Sequence, residues 1–297
     1  MTTEFKGKKP ATKEARRILR RQIDKGLRGL ESQRVSDDRI HRARKQIKMA
    51  RATLRLLRQG LSSKQFRSEN RRLRDAAKPL SEARDALVLR KAFEHILAGT
   101  RGRGLRHDSL EVDRVLANDQ LKAHRRVASR GGIPHARRLL HKAHAKASGW
   151  RLSNDGWSTI GAGLGRIYRQ GRNSLKAVEK APSDTAFHEW RKQVKYLRYQ
   201  IQLLRPISPG PMEACAKELH RLSDYLGDDH DLVVLRAKLS DVGSGARQAL
   251  LAKLDHKRAS LQRKALQVGA RLYAEPTGLF CSRLRQCWRG WRHEHGT

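Results

Sequence analysis

Acidic and aromatic residues are scarce in this 297-residue chain, and each shortage argues against a class of function. Aspartate and glutamate number 29 against 66 lysines and arginines, so the formal net charge is +37 and cationic substrates are disfavoured. A field of that sign attracts polyanions such as nucleic acid, polyphosphate or an anionic membrane surface. Aromatic residues make up 5% of the chain, and we find none in register with the basic residues described below. The sequence therefore offers few rings on which the bases of a nucleic acid could stack.

Cysteines, long apolar runs and strand-like patterns are also missing or few. The 3 cysteines, Cys215, Cys281 and Cys287, are an odd and scattered set, which argues against a disulfide framework and for a reducing compartment. The amino-terminal segment has no apolar run after its positive charges, so we expect no secretory signal. No run approaches the roughly 18 apolar residues that span a bilayer, and no β-branched or aromatic alternation predicts a sheet. We therefore expect an all-α, soluble, cytoplasmic protein.

One sequence pattern occurs twice. Residues 36–58 read SDDRIHRARKQIKMARATLRLLR, and residues 183–205 read SDTAFHEWRKQVKYLRYQIQLLR, with a constant offset of 147 and no gap. A repeat of this kind indicates an internal duplication. We therefore divide the chain into a first helical repeat, residues 12–150 with its motif helix at 37–59, and a second, residues 151–293 with its motif helix at 184–205.

Each motif is typical of an amphipathic helix with a basic edge. Apolar residues recur at intervals of 3 and 4, at Ile40, Ala43, Ile47, Ala50, Leu54 and Leu57 and at Phe187, Trp190, Val194, Leu197, Ile201 and Leu204. The next residue in each case is basic or histidine, except at Gln202. One residue along a helix is a rotation of about 100°, so the pattern predicts a continuous basic ridge beside the buried stripe.

Such a ridge repels itself. Like charges three or four residues apart destabilise a helix by roughly 0.2–0.5 kcal/mol per pair, and neither motif interleaves carboxylates on this face. A cationic column without internal partners predicts an external polyanion, whereas the alternative is a solvated basic face. Repetition in identical register, with histidine at the head both times, favours a binding site. Arginine forks and lysine ammonium groups suit phosphate oxygens.

The motif spacing HxxRKxxKxxR, from His41 to Arg51 and from His188 to Arg198, resembles the paired signature of CHAD domains, the conserved-histidine α-helical domains. The resemblance extends to LGxxRD-like segments downstream, at Leu80, Ser81, Arg84 and Asp85 and at Leu226, Gly227, His230 and Asp231, with Ser81 in place of Gly and His230 in place of Arg. It implies that nearly the whole chain, residues 12–293, is one CHAD domain of two helical bundles related by a pseudo-twofold axis. Basic side chains would line a shared surface or pore that binds inorganic polyphosphate.

We predict that polyphosphate contacts both motif helices and a second basic cluster on the helix before the first motif. The predicted binding residues are His41, Arg44, Lys45, Lys48, Arg51, Arg55, His188, Arg191, Lys192, Lys195, Arg198, Arg16, Arg17, Arg20 and Arg21. We expect the two histidines to donate hydrogen bonds to the ligand, and the alternative is a structural role at a buried carbonyl. An anion beside them would raise their pKa, whereas the neighbouring cations would lower it.

No metal site or cofactor is predicted. His141 and His144 lie one turn apart without an acidic or thiol partner, and Cys281, Cys287, His293 and His295 lack zinc-finger spacing. Two helix breaks are predicted, one at Pro79 between helices at 63–78 and 80–97, and one between helices at 212–226 and 229–241. The second break makes Asp228, Asp229 and Asp231 helix-start carboxylates that pair with the basic face.

The predicted function is non-enzymatic binding of inorganic polyphosphate, with association of the protein with polyphosphate granules. Nucleic-acid binding is the first alternative, because the same charge attracts DNA and RNA as non-specific competitors. A metal-dependent polyphosphate-handling enzyme is the second, although the motif faces carry no acidic ligands for Mg²⁺ and no nucleophile arrangement is recognisable.

Overall fold

The computed structural model describes residues 4–31, 35–98, 103–129, 131–153, 155–239 and 247–295; for residues 83, 84, 103–109, 128 and 129 it describes the backbone alone. The described residues form helices and no strand, which confirms the predicted all-α class. The helices are α1 Ala11–Gly29, α2 Asp37–Leu56, α3 Ser63–Ala98, α4 Arg103–Ser129, α5 Gly132–Ser148, α6 Trp157–Lys180, α7 Asp184–Leu204, α8 Pro209–Leu239, α9 Arg247–Leu272 and α10 Thr277–His295. None of them, over the ranges described, combines the length and apolarity needed to cross a membrane.

The helices of the two halves follow the same order. A helix precedes each motif helix, and a short 3₁₀ turn follows each one, at Leu57–Gly60 after α2 and at Arg205–Ile207 after α7. The longest helix of each half, α3 or α8, comes next, and two further helices complete each half. This is the order that a repeat would produce; the duplication itself stays a prediction.

Both motif helices begin at a serine cap. The hydroxyl oxygen of Ser36 accepts a hydrogen bond from the backbone N–H of Arg39, and that of Ser183 accepts one from the backbone N–H of Ala186. These bonds satisfy first-turn donors that have no partner within the helix, and such a cap stabilises a helix by about 1 kcal/mol. The caps therefore fix where the two basic helices start.

The apolar stripes of the motif helices meet in one hydrophobic core. Ile47 and Leu54 of α2 and Val194 and Ile201 of α7 are all fully buried in it. Burying a side chain of this size stabilises the fold by about 1.5–3 kcal/mol. Where α2 and α7 pack, Gln200 donates a hydrogen bond of 3.1 Å to the backbone carbonyl of Ala52. The core is therefore continuous through both halves.

A second hydrophobic cluster joins the halves at another place. Leu89 and Phe93 of α3 and Val112 of α4 pack there with leucines of α8 and α9, including Leu235 and Leu254. An ion pair of 2.9 Å between Lys238 of α8 and Asp119 of α4 also links the two halves. The two halves therefore meet at the motif helices and again at the second cluster.

The prediction that Pro79 ends a helix is wrong, because α3 continues through it. Proline inside a helix removes one backbone hydrogen bond and costs about 3 kcal/mol. Leu73 and Ala76 before the proline and Leu80 after it are all buried in the main core. Packing on both sides of Pro79 therefore outweighs the local cost of the proline.

The predicted break before Asp229 is also wrong, because α8 runs without interruption. Leu226, Leu232 and Leu235 continue one buried stripe past Gly227, and a helical glycine costs only about 1 kcal/mol. The carboxylates of this segment therefore do not start a helix. Asp229 is buried and pairs with Arg258 of α9 at 3.0 Å, and Arg258 also pairs with Asp184 at the start of α7.

Candidate functional site

Four helices surround a cleft of about 520 Å³, called here the main cleft. The motif helices α2 and α7 pack on each other, α7 packs on α8, α8 on α3, and α3 on α2, so the four helices form a closed ring. The described lining consists of His41, Arg44, Lys45 and Lys48 from α2, Asp85 and Leu89 from α3, His188, Arg191, Lys195, Arg198 and Tyr199 from α7, and His220, Ser223, Asp224, Gly227, Asp228, His230, Asp231 and Val234 from α8. Basic residues of both motif helices thus share one cleft.

The main cleft contains carboxylates as well as cations. The described lining includes six lysine and arginine side chains from α2 and α7 and four aspartates, Asp85, Asp224, Asp228 and Asp231, from α3 and α8. Arg44, whose side chain is 8% exposed, pairs with Asp85 at 3.2 Å. The idea that the basic faces meet no acidic partner is therefore wrong for the cleft as a whole, because α3 and α8 bring carboxylates that lie far from the motifs in sequence.

Two histidines face each other in the main cleft. The Nδ1 atoms of His188 and His230 lie 3.4 Å apart, so one ring can donate to the other. Burial, followed by Lys192 and Arg191, lowers the pKa of His188. Burial, followed by Arg191, lowers the pKa of His230 to about 4. The described partner of His188 is thus another histidine and not a buried carbonyl, and the lowered pKa values favour the neutral form of both rings.

Arg198 and Tyr199 are neighbouring, largely buried residues in the lining of the main cleft. The Nε atom of Arg198 is buried and has no hydrogen-bond partner among the described residues, and its guanidinium lies 5.7 Å from the centre of the Tyr199 ring. Tyr199 is only 8% exposed, and its burial raises its pKa. A buried donor without a partner is costly, so an anion that reaches Arg198 would relieve that cost.

Three of the predicted binding residues on the motif helices, Arg51, Arg55 and Lys192, lie in a different cleft of about 370 Å³, called here the arginine cleft. Its described cations are Arg51, Arg55, Arg58, Arg166 and Lys192, and its one described carboxylate is Glu189. Tyr196 and Phe66 also line it, with the Arg55 guanidinium 3.8 Å from the Tyr196 ring centre and that of Arg58 4.5 Å from the Phe66 ring centre. The predicted ridge is therefore not continuous: most of it divides between the two clefts, whereas Arg205 lines neither and pairs with Glu4 and Glu213. The expectation of no aromatic residue in register with the cations is also wrong.

The family model of the CHAD domain matches residues 17–240, which include the described lining of both clefts. The chain belongs to the CHAD-domain family. Two solved structures share the fold of this CHAD domain at 16% sequence identity. PptA from Streptomyces chartreusis has a TM-score of 0.68, with 88% of this chain and 99% of that chain covered. The CHAD domain from the plant Ricinus communis has a TM-score of 0.59, with 92% and 94% covered. No curated protein matches the sequence.

The second basic cluster of the CHAD domain lies outside both clefts. Arg16 donates a 2.8 Å hydrogen bond to the carbonyl of Trp150, Arg17 pairs with Glu14 at 3.2 Å, and Arg20 donates to His144. Arg21 lies on the same helix, α1. The contacts of Arg16 and Arg20 hold α1 against α5 and the residue Trp150 after it, whereas the Arg17 pair lies within α1. The fold does not bring the cluster into either cleft.

The remaining residues singled out in the sequence are dispersed. His144 lies 3.3 Å from Asp24, and within the described ranges no three His, Cys, Asp or Glu side chains are arranged to hold a metal ion. Of the LGxxRD-like segments, Asp85, Gly227, His230 and Asp231 line the main cleft, whereas the side chain of Arg84 lies outside the described residues.

Sequence reasoning missed several functional candidates. His220 and Asp224 of α8 line the main cleft, and Arg166 lines the arginine cleft. Arg58 of the arginine cleft belonged to the predicted ridge but not to the predicted binding residues. His220, Asp224 and Asp228 recur at intervals of four along α8, a spacing that places them on one helix face. No comparable signal marks Arg166, because its partners Arg55 and Arg58 lie more than 100 residues away in sequence.

Proposed function

We propose that this CHAD domain binds inorganic polyphosphate in the main cleft and does not alter it chemically. The observation that carries the proposal is the convergence of Arg44, Lys45 and Lys48 from α2 with Arg191, Lys195 and Arg198 from α7 on one cleft. A linear chain of phosphates carries about one negative charge per unit, and successive cations on a helix face are about 5–6 Å apart. The cleft thus presents two rows of donors to the same ligand.

The composition of the cleft favours a bare phosphate chain over nucleic acid. A single-stranded nucleic acid gains much of its affinity from bases that stack on exposed rings, at about 1–3 kcal/mol per base. The aromatic ring in the lining, Tyr199, is too buried to offer a free face. Polyphosphate has no nucleobases, so its affinity depends on the cations and not on exposed aromatic rings.

The carboxylates of the cleft moderate this binding. Asp85 accepts from Arg44 and so holds one guanidinium in position before a ligand arrives. Aspartates in the lining also reduce the excess of positive charge, which lowers affinity for any polyanion. Exchange of ligand is easier from such a cleft than from a purely cationic one. A protein of this kind would associate with polyphosphate granules through its cleft.

A competition experiment tests the proposal. Immobilised protein is loaded with long-chain polyphosphate and challenged with single-stranded or duplex nucleic acid at equal phosphate concentration and physiological salt. We expect polyphosphate to remain bound and its affinity to fall steeply with salt, because binding releases condensed counterions. Displacement by nucleic acid would reverse the assignment of ligand. Release of orthophosphate that depends on added Mg²⁺ would instead make the protein an enzyme.

A further inference from the structure

The arginine cleft has a larger excess of positive charge than the main cleft. Its described lining has five cations against the single carboxylate of Glu189, whereas the main cleft has six lysines and arginines against four aspartates. Lys192 takes up that carboxylate through an ion pair of 2.5 Å. The four arginines of the cleft are therefore left without a carboxylate among the described lining residues.

Two of the four arginines are held in place by neutral groups. Arg51 and Arg55 both donate to the amide oxygen of Asn70, at 3.3 and 3.0 Å, and Arg55 also donates to the carbonyl of Arg51. Within the described chain, Arg58 and Arg166 make no ion pair. Burial lowers the pKa of Arg55 to about 10, and burial followed by Arg166 lowers that of Arg58. The cluster is thus preorganised and repels itself.

A close helix contact holds this cluster together. A Cβ atom at Gly163 of α6 would lie 2.6 Å from the Cα atom of Leu56 and 2.7 Å from the carbonyl oxygen of Arg55, and it would also clash with the carbonyl oxygen of Leu56. Only glycine allows α6 to approach the end of α2 so closely. That approach brings Arg166, three residues after Gly163, to the cleft of Arg55 and Arg58.

The two aromatic rings beside the arginine cleft favour a phosphate group without a nucleobase. The Arg55 guanidinium lies over the Tyr196 ring and that of Arg58 over the Phe66 ring, so a nucleobase could not stack on these two covered faces. The planar guanidinium of arginine can donate two parallel hydrogen bonds to two oxygens of one phosphate, which fixes the orientation of that phosphate. We propose that the arginine cleft is a second anion site, with a lining separate from that of the main cleft, for a compact and multiply charged phosphate group such as inorganic triphosphate.

This phosphate group has two possible sources. It is either a free short-chain phosphate or the end of a long polyphosphate whose other units occupy the main cleft. Lys48 lines the main cleft and Arg51, three residues later on α2, lines the arginine cleft, so the two sites are neighbours along one helix. The arginines would bind the phosphate group from either source in the same way. Titration with inorganic triphosphate and with long-chain polyphosphate distinguishes the two sources.

The experiment titrates inorganic triphosphate and long-chain polyphosphate into the full chain by calorimetry at fixed ionic strength. The arginine-cleft variant is Arg58→Gln with Arg166→Gln, which alters one exposed and one partly exposed side chain. Its matched control is Arg263→Gln with Arg289→Gln, two exposed arginines on α9 and α10 that line neither cleft. A main-cleft variant, Lys195→Gln with Arg198→Gln, and a melting curve for each protein complete the set.

We expect the arginine-cleft variant to lose triphosphate affinity by about tenfold or more, since each guanidinium contact with a charged oxygen is worth about 1.5–3 kcal/mol. The control and main-cleft variants should retain it. If long-chain affinity also falls in the arginine-cleft variant, the site takes a chain end; if it does not, the site takes a free phosphate. Triphosphate binding that matches the control variant, or that disappears in the main-cleft variant, overturns the proposal. Unaltered long-chain binding in the main-cleft variant contradicts the proposed function separately.

Discussion

The main cleft and the arginine cleft are built by the same two motif helices but differ in chemistry. The main cleft combines lysine, arginine, histidine and aspartate, because α3 and α8 add acidic side chains to the basic faces of α2 and α7. In the arginine cleft, α6 and the turn after α2 add two more arginines, and the described lining has no histidine and one carboxylate. The helices that face a motif thus decide the charge around it, and a motif cation has no fixed environment of its own.

Removing cations from the main cleft should have the largest effect on long-chain binding. We expect Lys48→Gln, Lys195→Gln and Arg198→Gln together to weaken long-chain polyphosphate by about 100-fold or more, because three charged contacts are lost. The slope of log affinity against log salt should fall by about 2, at roughly 0.7 per contact. Calorimetry over a salt series measures both quantities.

The control for that variant removes the same charge elsewhere. Lys142→Gln, Arg263→Gln and Arg289→Gln change exposed residues of α5, α9 and α10 that line neither cleft. An equal loss of affinity in the two triple variants would show that overall charge, and not the main cleft, binds the ligand.

Gly163→Ala should destabilise the protein by disturbing the close contact of α6 with α2 that forms the arginine cleft. The new methyl group meets the backbone of α2, which cannot move as a flexible side chain does, and we expect a loss of about 1–3 kcal/mol in the free energy of unfolding. Urea denaturation measures it. Gly290→Ala in α10 is the matched control, because nothing lies near a Cβ there, and it should stabilise the protein by about 0.5–1 kcal/mol. Destabilisation by both substitutions would indicate that the close contact of α6 with α2 is not the cause.

A lower pH should raise the affinity of the main cleft, which contains the His188–His230 pair, but not that of the arginine cleft. The pKa values of His188 and His230 are lowered in the free protein, and a bound polyanion favours their charged forms. Binding therefore takes up protons, and affinity for long-chain polyphosphate should rise by up to about tenfold between pH 7 and 5. Asp228, whose pKa burial raises, changes the charge in the same direction as it protonates. Triphosphate binding in the arginine cleft should lack this rise.

The histidine substitutions and the free protein supply two checks on the pH effect. His188→Gln with His230→Gln should flatten the pH dependence of long-chain binding, and a slope that survives would exclude the pair as its cause. Without ligand, the same lowered pKa values mean that the unfolded chain binds protons first as pH falls below about 6.5. Their contribution to stability is therefore present above that pH and is lost toward pH 4.

The smallest expected effect comes from making the main cleft resemble the arginine cleft. Asp85→Asn with Asp231→Asn removes two negative charges, while the amide oxygen introduced at position 85 would still accept a hydrogen bond from Arg44. We expect long-chain affinity to rise by about threefold, within the roughly 0.2–1 kcal/mol of partly exposed charge pairs. Asp255→Asn, in an exposed pair with Arg236 outside both clefts, is the control. No gain over that control would mean that the carboxylates do not moderate binding.

Much of this arrangement could be predicted from the sequence, because it depends on local pattern. The apolar stripe from Ile40 to Leu57 and the serine before it set the extent and start of α2, and the cations beside the stripe follow from helix geometry. The helix through Pro79 could not be predicted, since the local cost of proline is offset by burial of Leu73 and Leu80 in tertiary contacts.

The local sequence pattern also could not predict that the cations of the basic ridge are divided between different clefts. Asp85 meets Arg44 only because α3 folds back on α2, and Arg166 meets Arg58 only because Gly163 allows a close helix contact. Both encounters join residues that are distant along the chain. A helical repeat can therefore predict which side chains are basic, but the packing of α3, α6 and α8 decides which of them act together.

The most direct test is a structure of the protein crystallised with long-chain polyphosphate. We expect a continuous row of phosphates in the main cleft, with oxygen atoms within about 3 Å of donors on both Lys48 of α2 and Arg198 of α7. Phosphates bound instead at α1, around Arg16 and Arg20, with none between the motif helices, would contradict the account.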